Sequence, residues 1–133
     1  MNNIIKGMGV HHIALKSTNF DKTVSFYKSL GLTEKVAWGE GNGRAVMLDF
    51  GDGNCLEIFA DGEKSETVDK RFYHIALRVD DVDNAFDIAV KSGAQPKTAP
   101  VTVSPENPTA PLTMRIAFVY GPDGEIVEFF KEL

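Results

Sequence analysis

The chain has 133 residues, 43% of them hydrophobic, which suits one ordinary domain, or two very small fused modules, around a continuous core. Its 19 acidic and 14 basic side chains leave a formal charge of −5, which opposes the long-range attraction that nucleic acid or an anionic membrane needs and points to a small-molecule or protein partner. No run approaches the roughly 20 apolar residues that cross a bilayer, Met1 to Val10 lacks the apolar run of a signal peptide, and the single cysteine, Cys55, has no internal partner; a cytoplasmic location is expected.

The first patterned segment starts at His12, where Ile13 and Leu15 alternate with His12, Ala14 and Lys16 as in a strand. Over 20–30, Phe20, Val24, Tyr27 and Leu30 fall at helical spacing, and Gly31 stops the helix. Short strands follow, punctuated by Gly41, Gly43, Gly51 and Gly53, the last pair framing a tight turn into CLEIFA. From His74 the same order returns: a strand, a helix over 82–92 carrying Val82, Phe86, Ala89 and Val90, and a stop at Gly93. Pro96, Pro100, Pro105, Pro108 and Pro111 then interrupt any regular ladder, so 96–111 is expected to be a long loop, either a lid over a binding site or a surface excursion. Met114 to Tyr120, a turn at 121–124 and EIVEFF close the chain.

The recurrence is an internal repeat at an offset of 74 − 12 = 62 residues, which lays HIALK on HIALR, Phe20 on Val82, Val24 on Phe86 and Gly31 on Gly93 without gaps. The expected fold is α+β: two tandem βαβββ modules, 8–62 and 71–131, forming a cupped mixed sheet within a single domain over 1–133.

One histidine in an apolar strand is usually a hydrogen-bonded core residue. Here His12 and His74 are equivalent, and each copy adds a glutamate in its last strand, Glu57 and Glu128, pointing opposite to Leu56 and Ile58 or to Val127 and Phe129. An unpaired buried carboxylate is costly, so the four side chains are expected to line the concave face and hold one divalent ion. Imidazole and carboxylate suit Ni²⁺, Co²⁺, Zn²⁺, Fe²⁺ or Mn²⁺, and four protein ligands leave two positions of an octahedron for two neighbouring substrate oxygens. His11 aligns with Tyr73, a poor ligand, and is read as structural or exposed.

HHIAL at 11–15, FYKSLG at 26–31, CLEIF at 55–59, YHIALRV at 73–79 and GPDGEIVEF at 121–129 resemble the vicinal oxygen chelate superfamily of glyoxalases, bleomycin-binding proteins and dioxygenases, over nearly the whole chain. The His, Glu, His, Glu order is similar to the metal set of bacterial-type glyoxalase I; methylmalonyl-CoA epimerases more usually have glutamine where Glu57 stands, and metal-free drug-binding members lack the ligands. The resemblance implies a lyase of the lactoylglutathione type. In it the metal holds the vicinal oxygens of a thiol–aldehyde adduct, Glu128 moves the carbon-bound proton, and Glu57 serves as ligand and as partner on the opposite face. It also implies a homodimer. The alternatives are a non-catalytic protein that sequesters a drug or metabolite, and an epimerase or transferase on the same scaffold. The sequence runs Gly121-Pro122-Asp123-Gly124 where the family often has Asp-Pro-Asp-Gly, and the proline-rich segment lacks the glycine-rich phrasing of glutathione-using members, so another thiol stays open.

Lys16 and Arg78 each lie four residues beyond a ligand histidine on its strand face, about 13 Å at strand rise, a reach suited to the anionic tail of an elongated substrate; the competing reading is strand-end charge in solvent. Trp38, Phe50, Phe59, Phe72, Phe118 and Phe130 are expected to pack the sheet, with a substrate wall as the alternative reading of Phe59 and Phe130, two positions beyond the glutamates. Cys55 reads as a small core residue.

Overall fold

The first copy forms β1 (Gly9–Lys16), α1 (Phe20–Ser29), β2 (Thr33–Trp38), a 3-10 turn at Gly41–Gly43, β3 (Ala45–Asp49) and β4 (Cys55–Phe59). The second forms β5 (Phe72–Arg78), α2 (Val82–Lys91), β6 (Gln95–Val103), β7 (Met114–Tyr120) and β8 (Ile126–Glu132). The computed structural model describes residues 1–29, 31–62, 72–121 and 126–133; Leu30 and most of the turn expected at 121–124 lie outside them. Among the described residues no helix is long and apolar enough to cross a membrane.

The helices coincide at the 62-residue offset, and so do their ends. Gly31 and Gly93 take positive φ, +101° and +106°, and the next residue's N–H reaches back five positions, Leu32 to the Tyr27 carbonyl and Ala94 to the Ala89 carbonyl. This is the glycine-terminated helix end in which a left-handed residue lets orphan carbonyls be satisfied.

The eight strands belong to a mixed sheet, ordered β2-β3-β4-β1 in the first copy and β5-β8-β7-β6 in the second. Each helix returns the chain so that the next strand starts in the direction of the first, and two reversals restore that direction, so β4 meets β1 in parallel as β8 meets β5. Strand parity then sorts the side chains. Leu32, Val46, Leu48, Leu56 and Ile58 pack with Leu15, Phe20, Val24 and Tyr27, and Val79, Val82, Ala85, Ala117, Val119 and Phe129 pack with Leu77, Phe86 and Ala89. The opposite face is the more tightly closed in β1 and β5: Ala14 and Ala76 are fully buried, whereas Ile13 and Ile75 are exposed.

Two compact units emerge, His12–Tyr73 with Pro105–Pro111, and Met1–His11 with His74–Ser104 and Leu112–Leu133. The N-terminal segment thus packs with the second copy. Ile5 enters that copy's core, Asp80 N–H donates to the Lys6 carbonyl at 3.1 Å, and Gly7 has φ +72° at a point where a Cβ would run into the Asp80 carboxylate.

The long loop expected over 96–111 is corrected, since its first half is strand β6. Among the described residues β6 is an edge strand paired only with β7. An edge needs only half of its N–H groups for pairing, so Pro96 and Pro100 are tolerated, and register shifts at Pro96/Thr98 and Thr98/Val101 absorb the irregularity. Of the remainder, Pro105–Pro111 covers the outer edge of β2. Thr109 N–H donates to the Ala37 carbonyl, Ala37 N–H donates to Thr109 Oγ1, both at 2.9 Å, and Gly39 N–H donates to the Glu106 carbonyl. Phe50 and Phe72 are likewise corrected: they are 48% and 66% exposed because one lies in the β3–β4 turn and the other is the first residue of β5.

Truncating a fully buried side chain removes its transfer energy and leaves a cavity, so Ile58→Ala should lower unfolding free energy by about 2–5 kcal/mol in urea titration. A pH-dependent test comes from Arg115, which grips Asp83 through Nε and Nη2 at 2.9 and 2.6 Å. That hydrogen bonding holds the Asp83 carboxyl below its ordinary value of 3.8. A depressed folded value makes the contribution complete above the unfolded pKa and lost as pH falls through the folded one. Asp83→Asn should therefore melt below wild type at neutral pH, and the two melting curves should converge in acid.

Candidate metal centre

In the first unit, the parallel register opposes Cys55 to His12 and Glu57 to Ala14. His12 and Glu57 are therefore diagonal neighbours on one face, with only the methyl of Ala14 between the histidine and the strand end. His12 Nε2 lies 2.9 Å from Glu57 Oε2, and both side chains are buried. In the second unit the register opposes Glu128 to Ala76, and His74 Nε2 lies 2.9 Å from Glu128 Oε2, again with both buried. Phe118, the β7 neighbour of Glu128, meets the His74 ring edge-on at 5.5 Å.

A buried carboxylate is tolerated only with compensating charge or hydrogen bonds. An imidazole at 2.9 Å supplies part of that compensation. Two imidazoles and two carboxylates also make a nitrogen–oxygen donor set whose charge a divalent ion neutralises, and His12, Glu57, His74 and Glu128 form a group that could hold a metal ion.

Around each pair the repeat places an equivalent quartet of side chains. In the first unit Lys16 Nζ sits 4.5 Å over the Tyr73 ring and 3.7 Å from Asp61, and Phe59 meets Tyr73 edge-on at 5.7 Å. In the second, His11 stacks on Phe130 at 4.1 Å and places Nε2 3.5 Å from Glu132. Arg78 lies along Gly9, where a Cβ would stand 2.8 Å from its guanidinium. The offsets match, 73 − 11 = 78 − 16 = 62 and 132 − 61 = 130 − 59 = 71, so Tyr73 answers to His11 and Asp61 to Glu132.

Of the two readings of His11, structural or exposed, the structural one holds, since the ring is buried. Phe130 is 1% exposed, as its reading as a packing residue expects, while Phe59 is half-buried in a row with Trp38, Ala45 and Lys16. Cys55 is buried. Tyr73 carries no ligand chemistry, and the signal for it in the sequence is its equivalence to His11 at the 62-residue offset.

Across residues 9–129 the sequence matches the family model described as the Glyoxalase/Bleomycin resistance protein/Dioxygenase superfamily. It is 28% identical over 127 residues to the uncharacterized protein YwbC of Bacillus subtilis (strain 168), covering 92% of this chain and 96% of that one. Methylmalonyl-CoA epimerase from Mycobacterium tuberculosis superposes with a TM-score of 0.71 at 19% identity, over 98% of this chain and 90% of its own. The Mn(II)-bound glyoxalase from Novosphingobium aromaticivorans superposes with a TM-score of 0.65 at 19% identity, over 93% of this chain and 38% of its own. At such identities the structural likeness speaks for the fold, and the match over residues 9–129 speaks for the lineage: the chain belongs to the Glyoxalase/Bleomycin resistance protein/Dioxygenase superfamily.

Proposed function

We propose that the protein is a metal-dependent lyase of the glyoxalase I type, which isomerises a thiol–aldehyde hemithioacetal, and that its two units act as one domain around one divalent ion. The observation that carries the reading is the duplicated buried pair, with the same Nε2–Oε2 separation of 2.9 Å in each unit. A divalent cation held there supplies Lewis-acid stabilisation of negative charge on two vicinal oxygens.

The chain's own residues then account for the proton. Glu128 takes it from the carbon bearing sulfur and hydroxyl, the electron pair moves into an enediolate, and the proton returns to the neighbouring carbon, so the net change is isomerisation with no external oxidant. Glu57 holds its position on the ligand set and faces the proton path from the other side. Lys16 and Arg78, about 13 Å along the strands from His12 and His74, hold the anionic tail, and Phe59 walls the substrate's apolar stretch. Phe130 supports the site from behind by packing on His11.

An epimerase is the second reading, favoured by the superposition on methylmalonyl-CoA epimerase. It uses the same proton chemistry next to a carbonyl. Glu57, where such epimerases more usually carry glutamine, favours the lyase.

Metal analysis of purified protein should find one divalent ion per chain, lost in His12→Ala and in His74→Ala but retained in His11→Ala. Wild type without bound metal would favour a sequestering protein instead. Reconstituted nickel, cobalt and zinc forms should turn over the methylglyoxal–glutathione adduct, and Glu128→Gln should keep metal while losing about 10²–10⁴-fold in kcat. Metal without turnover would remove the hemithioacetal, and normal turnover by Glu128→Gln would remove its role as base. The proposed homodimer predicts a sedimenting species of two chains at micromolar concentration, and monomer alone would contradict it.

A further inference from the structure

Beside Glu128 the second unit keeps an apolar strip that has no counterpart in the first. β7 pairs with β8 so that Ile116, Phe118 and Tyr120 stand opposite Phe130, Glu128 and Ile126, and strand parity puts all three on the face of the carboxylate. Neighbouring strands are about 4.8 Å apart, so Phe118 stands immediately next to Glu128. Its ring also meets His74 edge-on at 5.5 Å. The strip is open: Tyr120 is 37% exposed, Ile116 and Phe118 are half-buried, and Val101, opposite Ile116 on β6, is exposed as well.

The first copy shows that the fold does not require this. At the 71-residue offset that carries Glu57 onto Glu128, the strip answers to Ala45, Met47 and Asp49. Met47 stands opposite Glu57 as Phe118 does opposite Glu128, but Ala45 and Met47 are closed off, each 1% exposed. Accessible aromatic rings on the neighbouring strand thus accompany Glu128 and not Glu57. β6 adds an arm to them. Its register shifts between Pro96 and Thr98, an irregularity of the kind that re-aims a side chain. Lys97, at that point, places Nζ 5.9 Å from the Phe118 centroid and 5.8 Å from that of Tyr120. A lysine stem lies along apolar surface while its ammonium stays in water, so the strip has a flexible side wall.

We propose that this strip receives the substituent at the aldehyde-derived end of the substrate, and selects adducts of aryl or bulky apolar 2-oxoaldehydes over the methyl compound. The inference rests on the reading of Glu128 as base at a metal-held hemithioacetal. In that reaction the carbon that loses its proton is bonded to the carbon that bears the substituent. The substituent is therefore one bond away from the atom that Glu128 addresses, within reach of the adjoining strand. An apolar group leaves water there, and a ring gains edge-to-face or offset contact with Phe118 and Tyr120 besides. These two are specificity-determining residues, with Lys97 as the wall.

Acetohydroxamate and benzohydroxamate offer a cation the same two vicinal oxygens and differ in methyl against phenyl. Calorimetric titration of the zinc-loaded full chain with each tests the strip without turnover. Benzohydroxamate should bind about tenfold or more tightly, from the added apolar area. The ratio should fall toward one in Tyr120→Ser and in Phe118→Leu, and hold in Phe50→Ser, whose exposed ring lies in the β3–β4 turn. Tyr120 is exposed, so Tyr120→Ser decides the matter if Phe118→Leu, which removes a contact on His74, loses metal. Equal affinities in the wild type, or an undiminished ratio in Tyr120→Ser, would overturn the proposal. Binding of neither hydroxamate would remove the chelation and the strip's role together. A preserved ratio without turnover of any hemithioacetal would remove the lyase and leave the strip as the site of an aryl group.

Discussion

Placing a carboxylate beside an imidazole on the buried face of a sheet is the constraint from which the other features follow. Desolvating a carboxylate costs several kcal/mol unless another group answers it, so Glu57 needs His12 at hydrogen-bond distance and Glu128 needs His74. The parallel register, with its two-residue diagonal, delivers both side chains to one face, and a small residue at the intervening positions, Ala14 and Ala76, leaves them room. Once that face is committed to polar groups, the opposite face must supply the core. Leu56, Ile58 and Phe129 do so under the helices.

A repeat lets one solution to this problem serve twice, and the places where the copies part company show what each was free to change. The helices and their glycine ends coincide at 62 residues, whereas the glutamates are separated by 128 − 57 = 71, so nine residues enter the second copy between helix and last strand. They lengthen β6, which starts at Gln95 in register with Thr33 of β2, and they supply the segment that covers the edge of β2. An uncovered edge is an invitation to pair with other chains. The insertion answers it in the first unit, as Met1–His11 extends the core of the second.

The parts of the fold written in periodicity were legible in advance: both helices, the strand starts at the histidines, and the opposite orientation of Glu57 and Leu56. Proline misled, because it forbids only the inward half of an edge ladder, and nothing local told β6 that it would be an edge. Phe50 and Phe72 misled because an aromatic side chain suggests a core whatever its position, and theirs are a turn and a strand end. The quartets around the pairs were out of reach for another reason. His11 packs on Phe130 and Tyr73 on Phe59, contacts between segments more than a dozen residues apart whose geometry depends on the chain being exchanged between units.

The divergence of those quartets bears on the proposed chemistry. The portion of the repeat that stayed identical is one histidine and one glutamate per unit, and the proposed cation would draw on that portion alone. A hemithioacetal is different at its two ends, and identical surroundings could not orient it. The quartets supply the difference. Tyr73 stands where the other unit has His11, Asp61 where it has Glu132, and Lys16, held over a phenol ring and beside a carboxylate, where it has Arg78. Phe59 stays half-buried while its counterpart Phe130 is closed over by His11. The quartet that keeps an accessible aromatic and a lysine also belongs to the half with a cavity at the end of β1.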